Sequence, residues 1–153
     1  MVENNYTYDS SIVPAKSSMY GHPNAPENPY VISSHSIEKP DVNGKLMEYP
    51  LLVTKFLGKK IPAGGGFYLR TLPMKIIKNT ISNYEKKDLP ATFYIHSWEL
   101  TPEFMPRVNL SKKDSFITYH NIEKAYEKMD EILKEYEFTS FSKYRSEKND
   151  LSI

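Results

Sequence analysis

The stretch from Leu46 to His96 constrains this chain most. "LMEYPLLV" (46–53) reads as a strand, with Pro50 favouring an edge or a bulge because proline has no N–H to give to a ladder. Three consecutive glycines, 64–66, then precede "PMKIIKNTISNYEKK", in which Ile76, Ile77, Thr80, Ile81 and Tyr84 recur at helical spacing. A helix is expected over about 72–86, capped by Thr71 and with Pro73 in its first turn. "ATFYIH" (91–96) sets Ala91, Phe93 and Ile95 against Thr92, Tyr94 and His96, the alternation of a half-buried strand. Strand, glycine-rich loop, helix and strand make a right-handed crossover by default, so parallel pairing in an α/β sheet is expected.

The remainder supplies little regular structure. Residues 4–8, "NNYTY", fit a short strand, but Asp9 to Asn43 is rich in Pro, Ser, Asn and Gly, and only "PYVIS" (29–33) can pair. A loop of this length inside a compact domain is functional or covers something. From Asn121, an expected N-cap, Ile122, Ala125, Tyr126, Met129, Ile132, Leu133 and Tyr136 recur on one face of an amphipathic helix. The domain is expected to end near residue 140, with 141–153 a solvated tail. Two to four strands and two helices are few for a closed architecture, so the organisation is that of part of a domain.

With 153 residues and 39% apolar content, the chain can build a single core. Twenty basic against nineteen acidic side chains leave a net charge of +1, which steers neither nucleic acid nor an anionic membrane to this surface. The absence of cysteine excludes disulfides, thiolate metal sites and thiol nucleophiles. No apolar run is long enough to span a bilayer and the N-terminus has no leader pattern, so a cytoplasmic protein without membrane or nucleic-acid partners is expected.

Several residues have two readings. Gly65 and Gly66 let a backbone approach a ligand or offer N–H groups to an oxyanion, or else serve a plain turn that needs positive φ; the spacing is not that of a nucleotide loop. Arg70 is a candidate to contact an acetyl, carboxylate or sugar hydroxyl group, or to pair with Asp9 or Glu48. Glu48 either faces solvent or enters the site from its strand. His22 and His35 have no spacing that suggests a shared metal.

Three stretches in order, "YTYDSSIVP" (6–14) with "YGHPNAP" (20–26), "IPAGGGFYLRTLP" (61–73) and "FYIHSWEL" (93–100), resemble the C-terminal half of polysaccharide deacetylases of the exopolysaccharide-associated type. These belong to carbohydrate esterase family 4, with the NodB-homology fold, and the resemblance spans roughly residues 2–140. It implies an α/β fold that is the C-terminal portion of a distorted (β/α) barrel, with a long irregular N-terminal loop and two amphipathic helices. It also implies metal-assisted hydrolysis of an N-acetyl amide on a polysaccharide, with His96 the acid that protonates the leaving amine. Such a position, at the C-terminal end of a parallel strand, is where barrels place catalytic groups. Trp98 would wall the pocket, Glu99 would orient His96 or be a surface charge, and Glu48 would tune it. Taken without the resemblance, a histidine after a strand is more often a hydrogen-bonded structural residue.

The resemblance also exposes a gap. The family's Asp-Asp stretch and its His-x-x-x-His pair are both absent from this sequence, and Ser97 stands where the family usually has proline. No metal ligand set or cofactor is expected within this chain, although the complete family enzyme carries zinc or a similar divalent ion. The chain alone is therefore expected to be inactive, and its natural partner would be a separate N-terminal half. The second reading is a non-catalytic remnant that binds glycan or a partner through its loop and aromatic residues.

Overall fold

The computed structural model describes residues 1–17 and 20–150. Strand β1 (Tyr8–Asp9) runs parallel to β3 (Met47–Glu48), which pairs antiparallel with β2 (Tyr30–Val31), in the order β1-β3-β2. A hairpin of β4 (Val53–Phe56) and β5 (Lys59–Pro62) follows. Its two-residue turn places Leu57 at φ 49° and Gly58 at φ 75°, the pair of left-handed residues that matches strand twist. Leucine is a poor occupant of that conformation, so the sequence gives no hairpin signal there.

The segment 91–95 is bridged in parallel to the preceding chain at Leu51–Thr92 and Gly65–Tyr94. The Leu52 N–H donates to the Thr92 carbonyl at 2.9 Å and the Tyr94 N–H to the Gly64 carbonyl at 2.8 Å. The crossover is thus parallel, as the pattern requires, but built from single bridges in place of a ladder. The main-chain groups of Phe93 and Ile95, which point the other way, bond to nothing among the described residues. The triple glycine does not serve a positive-φ turn, because none of the three adopts one. A Cβ on Gly64 would lie 2.4 Å from the Thr92 carbonyl oxygen, so glycine there lets segment 91–95 come close.

The expected helix forms as Met74–Glu85, and a second, unexpected one precedes it in the glycine-rich stretch. Helix α1 (Gly66–Thr71) ends before Pro73, whose extended ψ of 138° separates it from α2 (Met74–Glu85). Thr71 is therefore the last residue of α1 and not a cap for α2; its hydroxyl donates to the Phe67 carbonyl. Helix α3 (Ser97–Leu100) is a single turn, and α4 (Lys112–Tyr119) buries no side chain.

Helix α5 (Lys124–Glu135) begins later than expected because Asn121, at φ 50°, turns the chain and does not cap it. Its buried stripe of Ala125 and Ile132, preceded by Ile122, is narrower than the apolar pattern: Tyr126 and Leu133 are 60% and 53% exposed. The segment taken for a solvated tail is helical over Phe141–Asp150 (α6). Phe141 stacks on the buried Tyr49 ring at 4.3 Å and Tyr144 meets it edge-on, contacts no local pattern announces. Residues 151–153 of that expected tail, with Ser18 and Met19 of the long loop, lie outside the described residues.

The main core gathers Leu51, Leu52, Val53, Leu69, Leu72, Ile77, Ile81, Tyr84 and Ile132, and a smaller one holds Ile12, Ala25 and Tyr30. The architecture is mixed α/β with two small sheets, and the described residues close no barrel. No described helix is long and apolar enough to cross a membrane.

Candidate functional site

At His96 the chain is still extended (φ −80°, ψ 145°), and α3 starts at the next residue. Glu99 falls in the first turn of that helix. Its Oε2 accepts the His96 main-chain N–H at 3.1 Å, the return half of a capping box, and lies 3.2 Å from His96 Nδ1. Oε1 takes the Arg70 guanidinium at 3.0 Å, with both side chains only 2% exposed. Gly66 makes room for this carboxylate, since a Cβ there would stand 2.0–2.1 Å from the two oxygens.

Arg70 uses the rest of its donors on carbonyls. Nε bonds to Gly66 at 3.2 Å, and the terminal nitrogens reach Ile117 (3.2 Å), Thr118 (3.1 Å) and His120 (2.8 Å), ending α4. Burial pulls the guanidinium below its ordinary pKa while the Glu99 carboxylate holds it up, and an arginine stays charged in either case. Lys128 of α5 ends α1 in the same way, donating to the carbonyls of Leu69, Arg70 and Leu72 at 2.9, 3.2 and 2.6 Å. A buried ion pair of this kind adds little net stability, but it fixes geometry because either partner alone would be an unpaired charge.

The His96 ring is held on three sides. Trp98 stacks on its face at 5.0 Å and 25°, Tyr94 meets its edge at 4.9 Å and 73°, and Glu99 faces Nδ1. A carboxylate only accepts, so the hydrogen of the neutral ring is assigned to Nδ1, leaving Nε2 for the cleft. That cleft has a volume of about 490 Å³. Tyr20, Phe67, Tyr94 and Trp98 give it aromatic walls, Ser10 and Ser11 offer hydroxyls, and Ile117 and Thr118 at the end of α4 close the far side.

Of the residues singled out in the sequence, His96, Trp98, Glu99, Arg70, Gly65 and Gly66 all line this cleft. Arg70 pairs with Glu99 and with neither Asp9 nor Glu48. Glu48 lies elsewhere: in the central strand of its sheet it is fully buried, Oε1 accepting the Ile12 N–H at 2.9 Å and Oε2 without a partner among the described residues. Burial above all, with Asp9 adding its charge, pushes its carboxyl up to about 7. It secures the Ser10–Pro14 wall from behind and does not enter the cleft.

The sequence reading missed Tyr94, Tyr20, Phe67, Ser10 and Ser11. Tyr94 carried a signal, since residues two apart on a strand share a face. Ser10, Ser11 and Tyr20 lay in stretches that carry the resemblance but had no local pattern that marks them as wall residues, because only the return of the long N-terminal segment over the core brings them here. Among the described residues no three His, Asp or Glu side chains gather closely enough to hold a metal ion, so the residues present do not fit a resident divalent cation.

No curated protein and no solved structure matches this chain. A family described only as a domain of unknown function (DUF3473) matches residues 10–146, from the first cleft-wall serine to the middle of α6, and the chain belongs to that family.

Proposed function

We propose that this domain is the C-terminal portion of a metal-dependent polysaccharide N-deacetylase in which His96 is the general acid. One observation carries the reading: an imidazole whose Nδ1 is held by a buried carboxylate lines an aromatic-walled cleft. Hydrolysis of an N-acetyl amide requires a proton on the departing nitrogen as the C–N bond breaks, and Nε2–H supplies it. Glu99 orients the ring, Arg70 holds Glu99 in a buried ion pair, and Trp98 offers a flat apolar face to a sugar ring. The parallel bridges at Leu51–Thr92 and Gly65–Tyr94 support a reading of these segments as strands of a distorted (β/α) barrel, with His96 at a C-terminal end.

Attack on the carbonyl needs a base and an activated water, and no group of side chains able to hold a metal ion gathers among the described residues. In this reading they come from another polypeptide, one that carries the Asp-Asp and His-x-x-x-His motifs. The test is acetate release from a chitooligosaccharide with added Zn²⁺ or Co²⁺, by this chain alone and mixed with such a polypeptide. Acetate is expected only from the mixture, with His96→Ala lowering turnover by roughly two to four orders of magnitude. Turnover within a few-fold of the unmodified mixture removes His96 from the acid role. Silence from every mixture transfers the reading to a glycan- or partner-binding domain without catalysis.

A further inference from the structure

Glu99 leaves His96 one nitrogen to work with. Its carboxylate faces Nδ1 at 3.2 Å and is itself held by Arg70 at 3.0 Å in a buried, charge-assisted contact. An ionised carboxylate has no hydrogen to give, so Nδ1 carries one whether the ring is neutral or charged. Every proton that His96 gains or loses therefore passes through Nε2, and a second side chain already stands there: the Tyr94 hydroxyl, 3.3 Å away.

We propose that Tyr94 is a positioning residue for His96, its hydroxyl aligning Nε2 and the proton that Nε2 exchanges with the cleft; the inference rests on the deacetylase reading of the site. A hydroxyl suits both charge states. It donates to the lone pair of the neutral ring, and its oxygen accepts from Nε2–H of the charged ring. The placement follows from the chain itself. Tyr94 and His96 are two apart in extended backbone and project from one face, and the Tyr94 N–H is anchored on the Gly64 carbonyl at 2.8 Å. Tyr94 is 52% exposed, so its phenol can swing aside for a substrate nitrogen without disturbing the core.

The step starts from the tetrahedral adduct left by attack of the water that the second polypeptide activates. A lone pair of the adduct's oxyanion re-forms the C=O bond of the acid product, the C–N electron pair goes to nitrogen, and that nitrogen takes the Nε2 proton. The ring is left neutral with a lone pair on Nε2, and the Tyr94 hydroxyl turns to donate into it.

The experiment compares the unmodified chain with Tyr94→Phe, both carrying ¹⁵N-labelled histidine, and then assays both in the acetate-releasing mixture. In the chain alone, the variant is expected to keep the Nδ1–H tautomer and the remaining amide spectrum while the Nε2 resonance of neutral His96 moves. In the mixture, kcat is expected to fall roughly tenfold, the scale of one hydrogen bond, with KM within twofold. An unmoved Nε2 resonance, or an unchanged kcat in an active mixture, overturns the role of Tyr94 and spares the deacetylase reading. A mixture that never releases acetate overturns that reading and the catalytic role with it, whereas the Nε2 shift still reports the Tyr94 contact.

Discussion

Glu48 titrates inside the protein. Burial is the main reason its carboxyl is raised from 4.5 to about 7; the charge of Asp9 adds to this and the Ile12 N–H opposes it. The unfolded chain releases the proton near pH 4.5 and the folded chain only near 7, so between those values the folded state binds more protons. Stability from this residue therefore falls as pH rises through that window, and the loss is complete above it. At about 1.4 kcal/mol for each pKa unit, the loss is about 3 kcal/mol. Glu48→Gln keeps an oxygen for Ile12 and removes the titration. Urea unfolding of both chains at pH 4 and pH 8 should show the variant gaining about 3 kcal/mol relative to the unmodified chain; parallel pH profiles would place the proton elsewhere. The sequence left this residue between solvent and site because alternation distinguishes two faces without saying which has neighbours. By contrast His96, Trp98 and Glu99 were legible together, being neighbours in sequence that one helical turn folds onto each other.

At the scale of elements, the three glycines make different demands. Gly66→Ala is expected to lower stability by about 1–3 kcal/mol, the range for forcing an atom into filled space, because its Cβ meets the Glu99 carboxylate. Gly65→Ala opens toward the cleft, with only the Tyr20 hydroxyl at 3.2 Å, and is expected to leave the melting temperature nearly unchanged. Equal losses in thermal unfolding would contradict this account of the loop. Helices α2 and α5 could be read from apolar spacing because they bury one face against the core. Helix α4 could not, because it buries no side chain and is fastened through its terminal carbonyls to Arg70, a contact that leaves no trace in residue type.

For the whole molecule, the consequential surface is the edge of segment 91–95. Main-chain groups of Phe93 and Ile95, without a partner among the described residues, make a template for another strand. The isolated chain is expected to associate with rising concentration, and Ile95→Pro, which removes one of those N–H groups, should weaken this several-fold in sedimentation velocity. Association that ignores the substitution would locate the contact on another surface. Parallel pairing of this segment was predictable from the order of elements; the bare edge was not, because a pattern of apolar residues does not record how many neighbours a strand has.

The two cations that finish helices also set an order of events in folding. Arg70 binds carbonyls 47, 48 and 50 residues downstream, and Lys128 reaches back 56, 58 and 59 residues. Closing loops of that length costs chain entropy before any contact rewards it, which slows a search dominated by distant pairs. The held imidazole is thus a late product of folding: a nascent chain carries His96 well before it carries Lys128, and the ring is fixed only when both ends of that search have met.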